Sequence, residues 1–259
     1  MTSLQQAELL KVSGLQMRFG GLLAVDGIEF DVKRDEVFAI IGPNGAGKTT
    51  VFNCVGGFYK PTAGEVTMDG HAIAGLPSHM VARKGLVRTF QNIRLFKNLT
   101  VFENLLVAQH LQVQSGILRG LFATPAYRRA EREALQRAAD WLERMGLTKV
   151  ANREAGTLSY GHQRRLEIAR CMITKPRLLM LDEPAAGLNP QEKIELSQLI
   201  DQLRKEFGIA VLLIEHDMSL VMGVSDRILV MEHGKPIMVG KPEEVRNDPR
   251  VIKAYLGED

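Results

Sequence analysis

The stretch Gly42-Pro43-Asn44-Gly45-Ala46-Gly47-Lys48-Thr49 constrains this chain more than any other. It meets the phosphate-loop pattern G-x-x-x-x-G-K-[ST] at every fixed position. Val37-Phe38-Ala39-Ile40-Ile41 before it is an apolar run with strand propensity, and Thr49-Thr50-Val51-Phe52-Asn53-Cys54-Val55 after it reads as a helix start. A strand, a glycine-rich turn and a helix N-terminus together make an anion site. The glycines let backbone N–H groups close around phosphate oxygens, and the helix end adds partial positive charge. Gly42, Pro43, Asn44, Gly45, Ala46, Gly47, Lys48, Thr49 and Thr50 are therefore the expected phosphate-binding residues. Lys48 is expected to reach the β- and γ-phosphates of a nucleotide, and the Thr49 hydroxyl to ligate Mg²⁺.

The chain has 259 residues, enough for one large domain or two modest ones, with an ample core. A net charge of +3 is too small to argue for nucleic acid. Cys54 and Cys171 stand far apart in no metal-ligand spacing, which favours reduced, buried thiols and a reducing compartment. No apolar run approaches the ~18 residues that span a bilayer. The first residues lack the basic and apolar regions of a signal peptide. The expectation is a cytosolic chain whose membrane link comes through a partner.

Along the chain, Glu8 to Val12 reads as a first strand, Met17 to Gly21 as a turn with one aromatic, and Ile28 to Val32 as a half-buried strand. Glu65 to Met68 turns at Asp69-Gly70 into His71 to Ile73, a strong hairpin signal. Gly85 to Gln91 reads as a short strand ending in glutamine. From Thr100 the pattern becomes helical, opening on a Thr100–Glu103 capping box. Leu135, Ala138, Leu142 and Met145 then recur at helical spacing, with Trp141 at the stripe's margin as a packing residue. The segment from Leu111 to Arg129 carries Ile117, Leu118, Leu121 and Phe122, read equally well as a packed helix or as an exposed patch for a partner. Between Arg119 and Arg170 eleven basic residues outnumber six acidic ones, but the acids are interspersed and aromatics are few. That favours a solvated face and no nucleic-acid partner.

Alternation of strand and helix resumes with a helix from Arg164 to Ile173. Strands follow at Leu178 to Leu181 and Ala210 to Ile214, with a helix from Ile194 to Arg204 between them. A helix from Met218 to Gly223, a hairpin turning at His233-Gly234-Lys235, and one or two short helices after Pro242 complete the pattern. Buried apolar strands separated by helices indicate a mostly parallel sheet.

The chemistry gathers at strand ends. Leu178-Leu179-Met180-Leu181-Asp182-Glu183 is an apolar strand ending in two acids, and ligands in such folds bind outside the carboxyl ends of strands. Asp182 is expected to hold Mg²⁺, directly or through water, as a Walker-B acid. Glu183 is expected to polarise or deprotonate the attacking water. Gln91 and His216 are the remaining polar candidates, His216 being placed to face the γ-phosphate.

These motifs, taken in order, resemble the nucleotide-binding subunits of ATP-binding-cassette (ABC) transporters over the whole chain. Leu158-Ser159-Tyr160-Gly161-His162 resembles the family signature Leu-Ser-Gly-Gly-Gln and falls between the phosphate loop and Asp182. Tyr160 replaces its first glycine and His162 its glutamine, while Ser159 and Gly161 remain to meet a phosphate. Gln91 matches the Q-loop glutamine, a ligand of Mg²⁺ or its water. His216 matches the switch histidine, and Phe19 the aromatic that stacks on adenine. Ala186-Gly187-Leu188-Asn189 occupies the D-loop, with Asn189 replacing the usual aspartate.

The resemblance implies an α/β fold of the P-loop NTPase class. Its parts are a RecA-like mixed sheet core, an antiparallel β subdomain and a helical signature subdomain. Residues 1–259 then form one ABC ATPase domain, with 92–165 as the helical subdomain and 240–259 as a C-terminal helical tail. It also implies ATP and Mg²⁺ as ligands, and a head-to-tail pair in which each signature closes the other subunit's ATP site.

A narrower resemblance links Arg88-Thr89-Phe90-Gln91, the Gly116 to Pro125 insert, Leu166 to Arg170, Ala185 to Pro190 and Ala254 to Gly257 to the ATPase subunits of high-affinity branched-chain amino acid importers. This implies a second, related ATPase chain as partner, or a second copy of this chain in isolation. It also implies two integral-membrane permease chains and, indirectly, a periplasmic amino-acid-binding protein. The location implied is the inner face of the cell membrane. The same motor could serve another cargo, such as other amino acids or exported lipopolysaccharide. A soluble cassette protein acting on DNA or ribosomes fits less well. Those usually carry a long coiled-coil insert or two cassettes, and this sequence has neither.

Overall fold

The computed structural model describes residues 7–109 and 125–256. β3 (Val37–Ile41) is buried at every residue, as are β7 (Leu178–Asp182) and β8 (Ala210–Ile214). β6 (Leu86–Arg88), β7, β8, β3 and β9 (Arg227–Glu232) run parallel, and β10 (Lys235–Gly240) pairs antiparallel on the edge. The order across this six-stranded sheet is β10-β9-β3-β8-β7-β6. Continuous Val, Ile and Leu suit strands covered on both faces, because neither face has a solvent side to mark with polar residues. Asp182 pairs with Ile214, so the carboxyl ends of β7 and β8 lie level.

A second, antiparallel sheet has four strands among the described residues. β1 (Glu8–Phe19) and β2 (Leu22–Lys33) are both longer than sequence patterning suggests. Met17 to Phe19 belong to β1, and only Gly20-Gly21 turns. The reason is a run of register shifts between β1 and β2, which breaks the period-two alternation without breaking the ladder. β4 (Ala63–Met68) turns at Asp69-Gly70 into β5 (His71–Ala72). Both turn residues have positive φ, as a tight right-twisted hairpin requires. α1 (Lys48–Val55) supplies Val51, Phe52, Cys54 and Val55 to a core shared with Leu10, Val66, Phe38 and Ile40. Burial pushes the Cys54 thiol up to about 11, which keeps it protonated and inert. Neither cysteine is in a disulfide.

The described chain forms two compact units. One comprises residues 1–91 and 177–259, the other residues 92–176. In the first, α2 (Ser78–Arg83) precedes β6, while α6 (Pro190–Phe207) and α7 (Met218–Val224) follow β7 and β8. α8 (Pro242–Asn247) and α9 (Pro249–Leu256) end the described chain. In the second, α3 (Val101–Ala108) opens on the Thr100–Glu103 capping box and packs against α4 (Pro125–Arg144) and α5 (Tyr160–Met172). Ala138, Trp141, Leu142 and Met145 of α4 and its C-terminal end are buried, and Leu135 is exposed. Ile117, Leu118, Leu121 and Phe122 lie outside the described residues. Among the described residues no helix is long and apolar enough to cross a membrane.

Candidate active site

The phosphate loop leaves β3 at Gly42 and enters α1 through Gly47. Gly47 takes φ 95° as the N-cap of α1 and gives it no side-chain cap, so the helix's first N–H groups are left for an anion. A Cβ there would meet the Ala24 carbonyl oxygen at 2.7 Å, and one at Gly42 would collide with the Met231 carbonyl oxygen. These positions need glycine for space as well as for backbone freedom. The Lys48 ammonium donates to the carbonyls of Gly42 and Pro43 at 2.7 and 2.9 Å, which braces the loop from inside. Burial lowers the Lys48 pKa below the ordinary lysine value, and the Glu183 carboxylate opposes that shift.

A cavity of ≈ 430 Å³ opens over this loop. Asn44 to Thr50 line it together with Glu183 and His216, and Leu22 to Ala24, His233 and Gly234 form the remaining wall. Glu183 follows β7 with φ 45°, anchored by its N–H to the Ile214 carbonyl at 2.9 Å. Its two carboxylate oxygens are both engaged. Gln91 Nε2 donates to Oε2 at 2.8 Å, and His216 Nε2 lies 2.7 Å from Oε1. Three residues separated widely in sequence, each expected to act on the γ-phosphate or its water, thus meet at one carboxylate. Phe19 does not line the cavity. Its ring is 42% exposed and stands edge-on to Tyr59, with centroids 5.4 Å apart.

Asp182 is 4% exposed. With the Thr49 hydroxyl and the Gln91 amide oxygen it offers hard oxygen donors, the set that suits Mg²⁺. Arg88 donates to Asp182 and also to Asn53, one helical turn beyond Thr49, so a single guanidinium bridges the Thr49 helix and the acid. Among the described residues no three His, Cys, Asp or Glu cluster for a metal held by protein alone. A Mg²⁺ held chiefly by phosphates and water needs no such cluster.

In the second unit, Ser159 caps α5, its hydroxyl accepting from the His162 N–H at 3.4 Å. Gly161 lies in the first turn of that helix. Tyr160 is held where the usual glycine would leave space. Its hydroxyl accepts from Arg164 at 3.2 Å and its ring lies under that guanidinium at 5.7 Å. Arg164 in turn forms a 2.7 Å ion pair with Glu167, both side chains almost fully buried. Asn189 acts as the N-cap of α6, exchanging bonds of 2.9 Å with Glu192. Asn serves that capping role as well as Asp does.

Sequence reading misses Glu215. It is 3% exposed, and its carboxylate accepts from three backbone N–H groups: Ala185 at 2.6 Å, His216 at 2.8 Å and Asp217 at 3.1 Å. It thereby ties the segment after Glu183 to the segment carrying His216. Its only signal in the sequence is an acid directly after a fully apolar strand, the same signal that marks Asp182.

The family model for ABC transporters matches residues 25–186, more than half of the chain and the whole span from the phosphate loop to Glu183. The chain belongs to the ABC transporter family. A second model, described as branched-chain amino acid ATP-binding cassette transporter, matches residues 235–259. This ABC chain is 63% identical over 250 residues to the high-affinity branched-chain amino acid transport ATP-binding protein BraF of Pseudomonas aeruginosa, covering 96% of this chain and 98% of the relative. It is 60% identical, with the same coverage, to LivG of Escherichia coli K12. Among solved structures it resembles the ADP conformation of MJ1267, an ATP-binding cassette of an ABC transporter. The TM-score is 0.84 at 33% identity, covering 97% of this chain and 100% of that one. A dimeric post-hydrolysis state of the cassette MJ0796, bound to ADP and phosphate, gives a TM-score of 0.76 at 25% identity, covering 90% and 99%. The expected α/β fold with a mixed sheet core is the one observed, and as an ABC ATPase domain the chain binds nucleotide and hydrolyses ATP to drive transport.

The loop motif implies a charge-assisted contact from Lys48 to phosphate of about 2–3 kcal/mol, so in Lys48→Ala ATP affinity is expected to fall on the order of a hundredfold. Titration with a fluorescent ATP analogue measures this, and an unchanged affinity would remove Lys48 from the phosphate contact.

Proposed function

We propose that this chain is the ATP-binding and ATP-hydrolysing subunit of an importer of branched-chain amino acids. The observation that carries the cargo is the 60–63% identity to BraF and LivG along 96% of the chain, beside the separate match of residues 235–259 to the branched-chain amino acid cassette model. The partners in this reading are a LivF-like second ATPase chain, two permease chains in the membrane and, indirectly, a periplasmic amino-acid-binding protein. In isolation a second copy of this chain would take the place of the LivF-like one. The chain would work on the inner face of the cell membrane.

Phosphoryl transfer asks the protein for positioning and charge stabilisation rather than covalent chemistry. The loop N–H groups of Gly45 to Thr49 and the Lys48 ammonium would hold the phosphates. Glu183 would take the proton of the attacking water, and His216 and Gln91 would hold that carboxylate in place. Phe19 would present a ring face to adenine. Mg²⁺, when bound through Thr49, Asp182 and Gln91, would neutralise charge on the phosphates. Ser159 and Gly161, at the start of α5, would close the ATP site of the partner ATPase, and the partner's signature would close this one.

The test is uptake of radiolabelled leucine, isoleucine and valine by cells lacking the gene. High-affinity uptake is expected to be lost and to return with the wild-type gene but not with Glu183→Gln. Undiminished uptake in cells without a duplicate subunit would reject the importer assignment.

A further inference from the structure

Arg88 is the last residue of β6, and the sequence motif it opens assigns it no role. Its side chain is 7% exposed. Its guanidinium carbon lies 5.4 Å from the ring centroids of Phe52, Phe58 and Phe90, so three aromatic faces surround it. Phe58 and Phe90 meet edge-on at 5.6 Å, which closes the cage. Within it Nη1 of the guanidinium donates to Asn53 Oδ1 at 2.7 Å and Nη2 donates to Asp182 Oδ2 at 2.5 Å.

The planar fork of arginine suits this arrangement. A cation caged by aromatic rings is stabilised without water and cannot rotate freely. One end is fixed to α1 at Asn53, a helical turn beyond Thr49, and the other to the acid that ends β7. One oxygen of Asp182 is therefore occupied, and rotation of the carboxylate is blocked. The other oxygen, Oδ1, is left with a set direction. Arg88 also lies three residues before Gln91 on the same segment. One side chain thus links all three segments that carry Thr49, Asp182 and Gln91.

We propose that Arg88 is a positioning residue for the metal side of the nucleotide site: it fixes Asp182 against α1, so that Asp182 Oδ1 and the Thr49 hydroxyl keep the separation a nucleotide-bound divalent cation requires. This rests on the reading of Asp182 as a metal-side carboxylate. Arg88 itself touches neither nucleotide nor metal.

The experiment is equilibrium binding of a fluorescent ADP analogue to the full chain, in Mn²⁺ and in EDTA, with Mn²⁺ occupancy followed by electron paramagnetic resonance. In R88Q, Mn²⁺ affinity in the presence of ADP is expected to fall about tenfold, the usual scale for losing a group that orients a metal ligand. ADP affinity in EDTA is expected to stay within about twofold, because the phosphate loop is untouched. N53A keeps the ion pair and releases only the α1 end, so a smaller loss of the same kind, about threefold, is expected. Undiminished Mn²⁺ affinity in R88Q, or equal losses in Mn²⁺ and EDTA, would overturn the proposal. If R88Q does not fold, N53A decides, and an N53A chain with wild-type Mn²⁺ affinity overturns it. D182N separates the two levels. Loss of Mn²⁺ in D182N with none in R88Q rejects only the role of Arg88. Retention in D182N rejects the metal-side reading of Asp182 beneath it.

Discussion

Glu183→Gln is expected to bind ATP with affinity within about threefold of the wild type and to turn it over at least about a hundredfold more slowly, the scale of a lost general base. The substitution is nearly isosteric, and the local bonds tolerate it. The new amide oxygen can still accept from Gln91 Nε2, and the amide nitrogen can donate to His216 Nε2 in its other tautomer, so the 2.8 and 2.7 Å contacts both survive. The loop around Lys48 is not disturbed. What disappears is the carboxylate's capacity to take a proton from water. Single-turnover phosphate release, measured beside equilibrium binding, separates the two effects. Rapid steady hydrolysis by the assembled variant would exclude Glu183 as the base.

The second large effect is expected at Glu215. In Glu215→Gln, the side-chain carbonyl can keep the bonds from His216 and Asp217, which share one oxygen, while the amide nitrogen then faces the Ala185 N–H. Two donors meet, and a buried N–H is left without an acceptor at a cost of about 1–3 kcal/mol. For a domain of this size that lowers the melting temperature by roughly 2–12 °C. The same change unties the segment after Glu183 from the segment bearing His216. Turnover is expected to fall about tenfold, since small misplacements at a reacting centre have large effects, with ATP affinity nearly unchanged. Thermal melts and steady-state kinetics read both outcomes. A variant with wild-type stability and turnover would reduce Glu215 to a bystander.

Glu215 and Arg88 mark where sequence reading stops. Gly42 to Thr49 is legible because phosphate chemistry needs particular residues at fixed local spacing. Asp182 and Glu183 are legible because they end an apolar run. The strand from Ala210 to Ile214 is found to the residue, since a fully buried strand is apolar throughout. Glu215 and Arg88 are charged, and a charge in a sequence reads as surface. Their burial is explained only by partners brought near through folding, Ala185 for one and Asp182 for the other. Helix starts were partly legible for the same local reason. The Thr100 and Glu103 box announces α3, whereas α6 begins at Pro190 rather than Ile194 because its cap and first turn are polar. Only the start of β1, Glu8 to Val12, is legible; Met17 to Phe19 reads as a turn because the bulges scramble the alternation on which strand reading depends.

The two compact units have a topological consequence. The chain leaves the first unit after β6 and returns just before β7, and these two strands are parallel neighbours in the sheet. Along the chain the whole second unit is therefore one enlarged connection between adjacent parallel strands, at the point in the sequence where a simpler α/β protein carries a single helix. The pairing of Leu86 with Leu178 and of Arg88 with Met180 does not depend on how long that excursion is. Closing a longer excursion adds only about 0.6 kcal/mol for each doubling of its length. Descendants of such a chain can lengthen, shorten or rewrite the excursion to suit a new membrane partner while the catalytic strand ends stay in register.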